Sequence, residues 1–170
     1  MYNIGVIGGG NADEKYRETS IELGRLLAEK KATVFCGGTT GVMEWVAEGV
    51  KESGGVSVGI LPAMDMSTGN GFLTVKMPTG FGFARNVLIV RASEALISVD
   101  GSTGTISEAT FALSEGKSVI VLGELPLERR KKADGCVFRA NSPSEAVEIA
   151  MKEAAKLREK VSSGWRLPGT

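Results

Sequence analysis

The sequence predicts an α/β protein: a Rossmann-like, three-layer α/β/α arrangement around a mostly parallel sheet of about seven strands. Short β-branched runs alternate with helical patterns from one end of the 170-residue chain to the other. The strand-like runs are apolar throughout, as strands covered on both faces must be. Three of them end in a glycine-rich turn that feeds straight into a helix, which is how a parallel sheet connects at its carboxyl edge.

The elements follow in order. "YNIGVIG" is a first strand, and Asp13 to Lys31 a helix with Ile21, Leu23, Leu26 and Leu27 turned inward. "TVFCGG" is a second strand. Thr40 to Ser53 is a helix, with Val42, Trp45, Val46, Gly49 and Val50 at helical spacing. "VSVGILP" is a third strand closed by Pro62. A glycine-rich loop, Met64 to Gly71, leads to a short fourth strand, "FLTVKMP". Phe83 to Ser93 is a helix, "ALISVD" a fifth strand, Thr105 to Glu115 a helix, and "KSVIVLG" a sixth strand. "CVFRA" is a weak seventh strand, and Ser144 to Val161 a charged amphipathic helix. The tail "SSGWRLPGT" is either frayed or docked through Trp165. With no repeat, linker or composition break, we expect one domain over residues 1–162 and a tail over 163–170.

Composition narrows the function. Lysine plus arginine number 20 and aspartate plus glutamate 20, so the net charge is zero. The single basic run, Glu128 to Lys132, reads as a solvated loop, and we expect no nucleic-acid partner. No apolar run approaches membrane length, and we expect no membrane partner. A strand starting at Tyr2 leaves no room for a signal peptide. The chain has no histidine, which removes histidine triads, imidazole acid–base chemistry and most zinc sites. Neither metal nor cofactor is expected. The two cysteines, Cys36 and Cys136, lie in apolar strand-like runs and read as buried thiols of a cytoplasmic protein.

The three glycine turns are the candidate site. Gly8, Gly9 and Gly10 follow the first strand. Gly37, Gly38, Thr39 and Gly41 follow the second. Asp100, Gly101, Ser102, Thr103, Gly104 and Thr105 follow the fifth. Glycine lets backbone approach a ligand, and each following helix offers unpaired amides and a positive dipole end to an anion. No turn is a clean GxGxxG, no acid closes the second strand where ribose hydroxyls would be held, and no Walker lysine follows a glycine. The pattern suits a nucleoside monophosphate or other phosphate-bearing small molecule rather than NAD or ATP.

Two charged residues stand beside these turns. Thr105-Ile106-Ser107-Glu108 fits a capping box, in which Glu108 would reach back to the Thr105 amide. On the other reading, the helix dipole keeps Glu108 ionised so that it faces a sugar carbon turning cationic during glycosidic cleavage. Arg85 falls in the first turn of an otherwise apolar helix. It is either an exposed surface arginine or a bidentate partner for phosphate or carboxylate.

At these residues the chain resembles a known family. "VFCGGTTGVMEWVAEGVKESGGVSVGILP" is similar to the GGGxxGxM…GGxxxGxxP signature of LOG-type proteins, cytokinin-activating phosphoribohydrolases long labelled lysine decarboxylases. "DGSTGTISE" resembles their PGGxGTxxE motif, and "ARN" stands at their arginine-containing segment. The similarity runs from about Tyr2 to about Leu122, and molybdenum-cofactor carrier proteins and DprA-related domains share the framework. The resemblance implies a phosphate turn at Gly101, Gly104 and Thr105, a catalytic Glu108, an assisting Arg85, and a second glycine loop at Gly37, Gly38 and Gly41. It implies hydrolysis of the N-glycosidic bond of a nucleoside 5′-monophosphate, with a non-catalytic pterin-cofactor carrier or nucleotide sensor as the alternative. It also implies a homodimer or higher even assembly. Asp100 stands in place of the family's proline, Ser102 in place of its second glycine, and Asn86 in place of a lysine. Asp100 either caps the following turn or meets a ligand hydroxyl or amino group. Pyridoxal-dependent decarboxylation is not expected, because these loops hold no lysine.

Overall fold

In the computed structural model, which describes residues 1–166, seven strands form one sheet. They are β1 (Asn3–Ile7), β2 (Thr33–Cys36), β3 (Val56–Leu61), β4 (Val75–Pro78), β5 (Ala95–Ser98), β6 (Ser118–Val121) and β7 (Val137–Arg139). Every neighbouring pair is parallel, in the order β4-β3-β2-β1-β5-β6-β7. The chain therefore runs outward from β1 to β4, returns, and runs outward again on the other side from β5 to β7. The reversal falls between β1 and β5, which pair Ile4 with Ala95 and Ile7 with Ser98.

Five helices cover the sheet: α1 (Arg17–Glu29), α2 (Val42–Glu52), α3 (Asn86–Ala92), α4 (Thr103–Ser114) and α5 (Pro143–Ser162). Helices α1, α2 and α5 pack on one face, and α3 and α4 on the other. Alternation along the strands divides the core accordingly. Ile4, Val6, Ala95 and Ile97 point to the first face, while Ile7 and Leu96 point to the second. Each fully buried leucine or isoleucine contributes roughly 1.5–3 kcal/mol. Helices α1 and α2 touch backbone to backbone. A side chain at Gly24 would strike the Val46 carbonyl, and one at Gly49 the Ile21 carbonyl.

Helix starts differ from the sequence expectation for local reasons. Asp13 caps a 3₁₀ turn, Glu14–Tyr16, before α1 begins at Arg17. Helix α2 starts at Val42, after Gly41 takes a left-handed φ of 63° that blocks earlier helix. The expected helix from Phe83 opens as a 3₁₀ turn, Gly82–Arg85, and becomes α-helical at Asn86. Helix α4 starts at Thr103, not Thr105, because Ser102 is its N-cap. Helix α5 starts at Pro143, with Ser142 accepting from the Glu145 amide.

The second face is incompletely covered. No helix joins β3 to β4, and α3 has only 7 residues. Val56, Val75 and Met77 stay exposed on this side, although their in-register neighbours Val58 and Ile60 are buried. The basic run Glu128–Lys132 lies exposed in irregular backbone. Cys36 is buried, but Cys136 precedes β7 and is only half-buried, so the expectation of two buried thiols holds for one. Trp165 is half-buried with its ring against Gly116. The last four residues of the expected tail lie outside the described residues. No helix of the described chain is long and apolar enough to cross a membrane.

Candidate functional site

The sheet reversal opens a crevice beyond the ends of β1 and β5, where open α/β sheets bind ligands. A cavity of about 300 Å³ lies there, at the small end of the usual range for small-molecule sites. Gly8, Gly9 and Gly10 form one wall, directly after β1. Asp100, Ser102, Gly104 and Thr105 form the facing wall, after β5. Gly37 and Arg85 close a third side, and Glu108 reaches in from α4.

Asp100 ties two of these walls together. Its Oδ1 accepts from the Gly9 amide at 2.9 Å, from the Thr105 hydroxyl at 3.1 Å and from the Ser102 amide at 3.4 Å. With the Thr105 proton directed to Asp100, the Ser102 hydroxyl must donate to Thr105 Oγ1, 2.6 Å away, while its own oxygen accepts from the Thr105 amide. The side chains of the turn are thus chained in one direction, Ser102 to Thr105 to Asp100. The amides of Thr103 and Gly104, in the first turn of α4, take no partner among the described residues.

The capping-box reading of Glu108 is corrected by this geometry. Ser102, not Glu108, satisfies the Thr105 amide. Glu108 lies beyond the first turn, buried on the inner side of α4, where its Oε1 is 3.7 Å from Arg85 Nη1. Nor does the helix dipole hold it ionised. Burial pushes its carboxyl up to about 7, against the opposing pull of the Arg85 charge.

Arg85 is likewise not the exposed arginine that a first-turn position allowed. It is only 8 % exposed. Its Nη1 donates to Asn86 Oδ1, and its buried Nε has no hydrogen-bond partner. Burial draws the guanidinium below its ordinary pKa, with Glu108 and then Cys36 opposing. The second glycine loop makes room for it. A Cβ on Gly37 would overlap Arg85 Nη2, and would come within 2.5 Å of Met43 Sδ. Cys36, fully buried at the end of β2, is pushed up to about 11 by desolvation, which keeps it a thiol.

Five expected ligand residues do not line the cavity. Gly38 packs against Gly59 and Leu61 and passes its carbonyl to Asn70. Thr39 turns its hydroxyl to Met43 Sδ at 3.6 Å. Gly41 presses on the Gly9 and Gly10 carbonyls and so holds the second glycine loop against the first. Gly101 lies against the Glu124 carbonyl, and Thr103 is exposed at the start of α4. Six lining residues were not among those expected: Val6 and Ile7 at the end of β1, and Asn11, Met43, Phe83 and Asn86. Met43 stands one residue past the start of α2, on the side where the second glycine loop turns back. Phe83 precedes Arg85 by two residues and is 90 % exposed at the cavity rim, a signal readable as an aromatic beside a buried charge. Among the described residues no cluster of histidine, cysteine, aspartate or glutamate could hold a metal ion.

Comparison with known proteins adds the family. The family model described as the SLOG cluster4 family matches residues 1–147. An uncharacterized protein of Archaeoglobus fulgidus is 47 % identical over 123 residues, covering 72 % of this chain and 80 % of the relative. The probable cytokinin riboside 5′-monophosphate phosphoribohydrolase LOGL9 of Oryza sativa is 35 % identical over 103 residues, covering 58 % of this chain but 45 % of that protein. Among solved structures, the molybdenum cofactor binding protein of Rippkaea orientalis superposes with a TM-score of 0.83 at 31 % identity, over 89 % of this chain and 96 % of the other.

Proposed function

Because the chain belongs to the SLOG cluster4 family, we propose that it hydrolyses the N-glycosidic bond of a nucleoside 5′-monophosphate, releasing the free base and ribose 5-phosphate. The observation that carries this reading is the buried Glu108–Arg85 pair facing the switch-point cavity. A purely structural ion pair has no need of a carboxyl that titrates near 7 inside a ligand-sized crevice.

The mechanism follows from that balance. Near neutrality Glu108 is shared between its two forms. Protonated, it donates to the leaving base as the C1′–N bond breaks. Ionised, it faces the sugar carbon that has become cationic and takes a proton from the attacking water. The water oxygen bonds to C1′, so the sum is one water consumed, one base and one sugar phosphate formed. Arg85 holds the Glu108 charge in place and offers its Nη2, which takes no partner among the described residues, to a ligand oxygen. The unpaired amides of Thr103 and Gly104 take the phosphate, with the dipole of α4 behind them. The reading needs neither metal nor cofactor.

A second reading is carriage of a molybdenum-cofactor-like pterin without chemistry. It is favoured by the likeness to the Rippkaea orientalis protein over nearly its whole length and by a carboxylate, Asp100, beside the phosphate turn. Incubation with AMP, GMP, CMP and UMP separates the two. Free base and ribose 5-phosphate support the hydrolase; intact nucleotides, with a pterin found by mass in the purified protein, support the carrier.

The same reading carries a homodimer or higher even assembly in the cytoplasm. Both cysteines are free, as suits a reducing compartment. The uncovered strip of Val56, Val75 and Met77 on the sheet is uncharged, so it can oppose its own copy about a two-fold axis without like-charge repulsion. Light scattering gives the answer: an even multiple of the 17.8 kDa chain, falling to one chain when Met77→Lys is introduced, supports it, and a parent that is already monomeric overturns it.

A further inference from the structure

Asp100 is the one buried charge of the cavity that the reaction above does not use. Its two oxygens are unequal. Oδ1 is occupied by the Gly9 amide, the Thr105 hydroxyl and the Ser102 amide. Oδ2 lies against Gly9, within 2.7 Å of where a Cβ would stand, and takes no hydrogen bond among the described residues. The residue is 8 % exposed and lines the cavity. A second polar group of the cavity is also unsatisfied, the buried Arg85 Nε. The crevice therefore presents a fixed, open acceptor on one wall, while the unsatisfied Arg85 Nε is buried behind another. Oδ2 is open to the cavity rather than buried, so a ligand donor can reach it directly, and a hydrogen bond to a charged group is among the stronger ones.

We propose that Asp100 selects the sugar of the ligand: Oδ2 accepts a hydrogen bond from a ribose hydroxyl, so the site prefers ribonucleotides to deoxyribonucleotides. A phosphate is excluded from this position, because it would set like charges side by side on an acceptor that offers no proton. It is left to the amides of Thr103 and Gly104, where Gly104 faces open space. A hydroxyl suits Oδ2 in both respects, being a neutral donor and small enough for the gap beside Gly9. The three bonds to Oδ1 make the selection strict, since they hold the carboxylate rigidly across the junction of β1 and β5 and deny it a rotation that would accommodate a deoxy sugar. The proposal rests on the nucleotide reading and deepens it by naming the sugar that the cavity accepts.

The test is calorimetric titration with AMP, 2′-deoxy-AMP and 3′-deoxy-AMP, on the parent and on Glu108→Gln, in which the ligand survives the experiment. The expected result is that AMP binds at least about ten-fold more tightly than one of the two deoxy analogues, the size of one hydrogen bond to a charged group. Asp100→Asn keeps an oxygen for Gly9 and Thr105, so it should melt with the parent, but it exchanges the free acceptor for an amide. In that variant the preference should shrink to less than about three-fold. Equal affinities for all three nucleotides overturn the proposal while leaving the nucleotide reading intact. So does a preference that Asp100→Asn leaves unchanged. If none of the three binds either protein, the nucleotide reading itself falls, and this inference falls with it.

Discussion

Two clusters of buried charge lie at opposite edges of the same sheet, and they are built differently. At the amino edge Lys117 is 2 % exposed, with its ammonium donating to the Val90 and Arg91 carbonyls at 2.6 and 3.2 Å. Those carbonyls lie at the end of α3, where Val90 also accepts from the Ser93 amide and a cation meets the favourable end of the helix dipole. Glu115 adds its charge 3.9 Å from the Lys117 ammonium and accepts from Arg91 Nε at 2.9 Å. At the carboxyl edge Arg85 and Glu108 are 3.7 Å apart, with no hydrogen bond between them and the Arg85 Nε without any partner. One cation is coordinated by the fold, and the other is left with capacity to spare beside a cavity. Burial alone does not distinguish a site from a scaffold, and neither does one orphaned atom, since the buried Glu115 Oε2 also takes no hydrogen bond; what distinguishes the two cations is whether the protein itself satisfies them.

Removing the charges one at a time puts this contrast under the greatest strain. Glu108→Gln should lower base release from AMP by at least about 100-fold and leave the melting temperature at neutral pH near the parent's. Lys117→Ala should do the reverse: a loss of roughly 3–5 kcal/mol of stability, since it removes the hydrogen bonds to the Val90 and Arg91 carbonyls, one of the two cations beside the buried Glu115 and the packing of a fully buried side chain, with turnover per folded molecule unchanged. Denaturant melts and an adenine assay on both variants check this. If Lys117→Ala is the inactive protein and Glu108→Gln the unstable one, the assignment of roles is inverted.

Titration separates the two clusters further, because they respond to pH in opposite senses. The Glu108 carboxyl is raised from 4.5 to about 7, so the folded state holds its proton more tightly than the unfolded one. That contribution is present below 4.5 and is lost as pH rises through 7. Lys117 is lowered from 10.5 to about 8, mainly by desolvation. Its contribution is present above 10.5 and is lost as pH falls through 8. A tenfold difference in proton affinity between the folded and unfolded states corresponds to about 1.4 kcal/mol. Glu108→Gln should therefore flatten the acid side of the stability–pH curve and Lys117→Met the alkaline side. Urea midpoints across pH check it, and a curve unaltered by either change contradicts it.

A smaller effect is expected at Gly37. The methyl of Gly37→Ala would displace the Arg85 guanidinium and Met43, at a cost of about 1–3 kcal/mol for overpacking. Activity should fall more than stability does, because the displaced group belongs to the site and not to the core. Parallel measurement of melting and base release decides whether that holds.

Much of this was legible in the sequence. Apolar runs alternating with helical patterns were enough for the parallel sheet, and glycine turns after the first, second and fifth strands located its ligand edge. What could not be read was which residues meet across the chain. Asp100 and Gly9 are 91 positions apart, and their bond exists only because β5 lies beside β1. Glu108 fitted a capping box as well as it fitted a site. The decision lay with Ser102, which begins α4 two residues earlier than the pattern suggested and leaves Glu108 on its buried side, facing Arg85. Arg85 was readable as a first-turn arginine, but its burial depends on Gly37, a residue from another loop. Periodicity reports which face of an element is apolar; it does not report which loop has left a hole.

If the unsatisfied pair at the carboxyl edge performs chemistry, base release must depend on it. The parent and Glu108→Gln are incubated with AMP at equal folded concentration, on both sides of the pH at which Glu108 titrates, about 7. The expected result is adenine and ribose 5-phosphate in equal amounts from the parent, a rate that turns over near that pH, and no release from the variant. AMP recovered intact from the parent at every pH, or release that survives Glu108→Gln, would contradict a catalytic role for the pair.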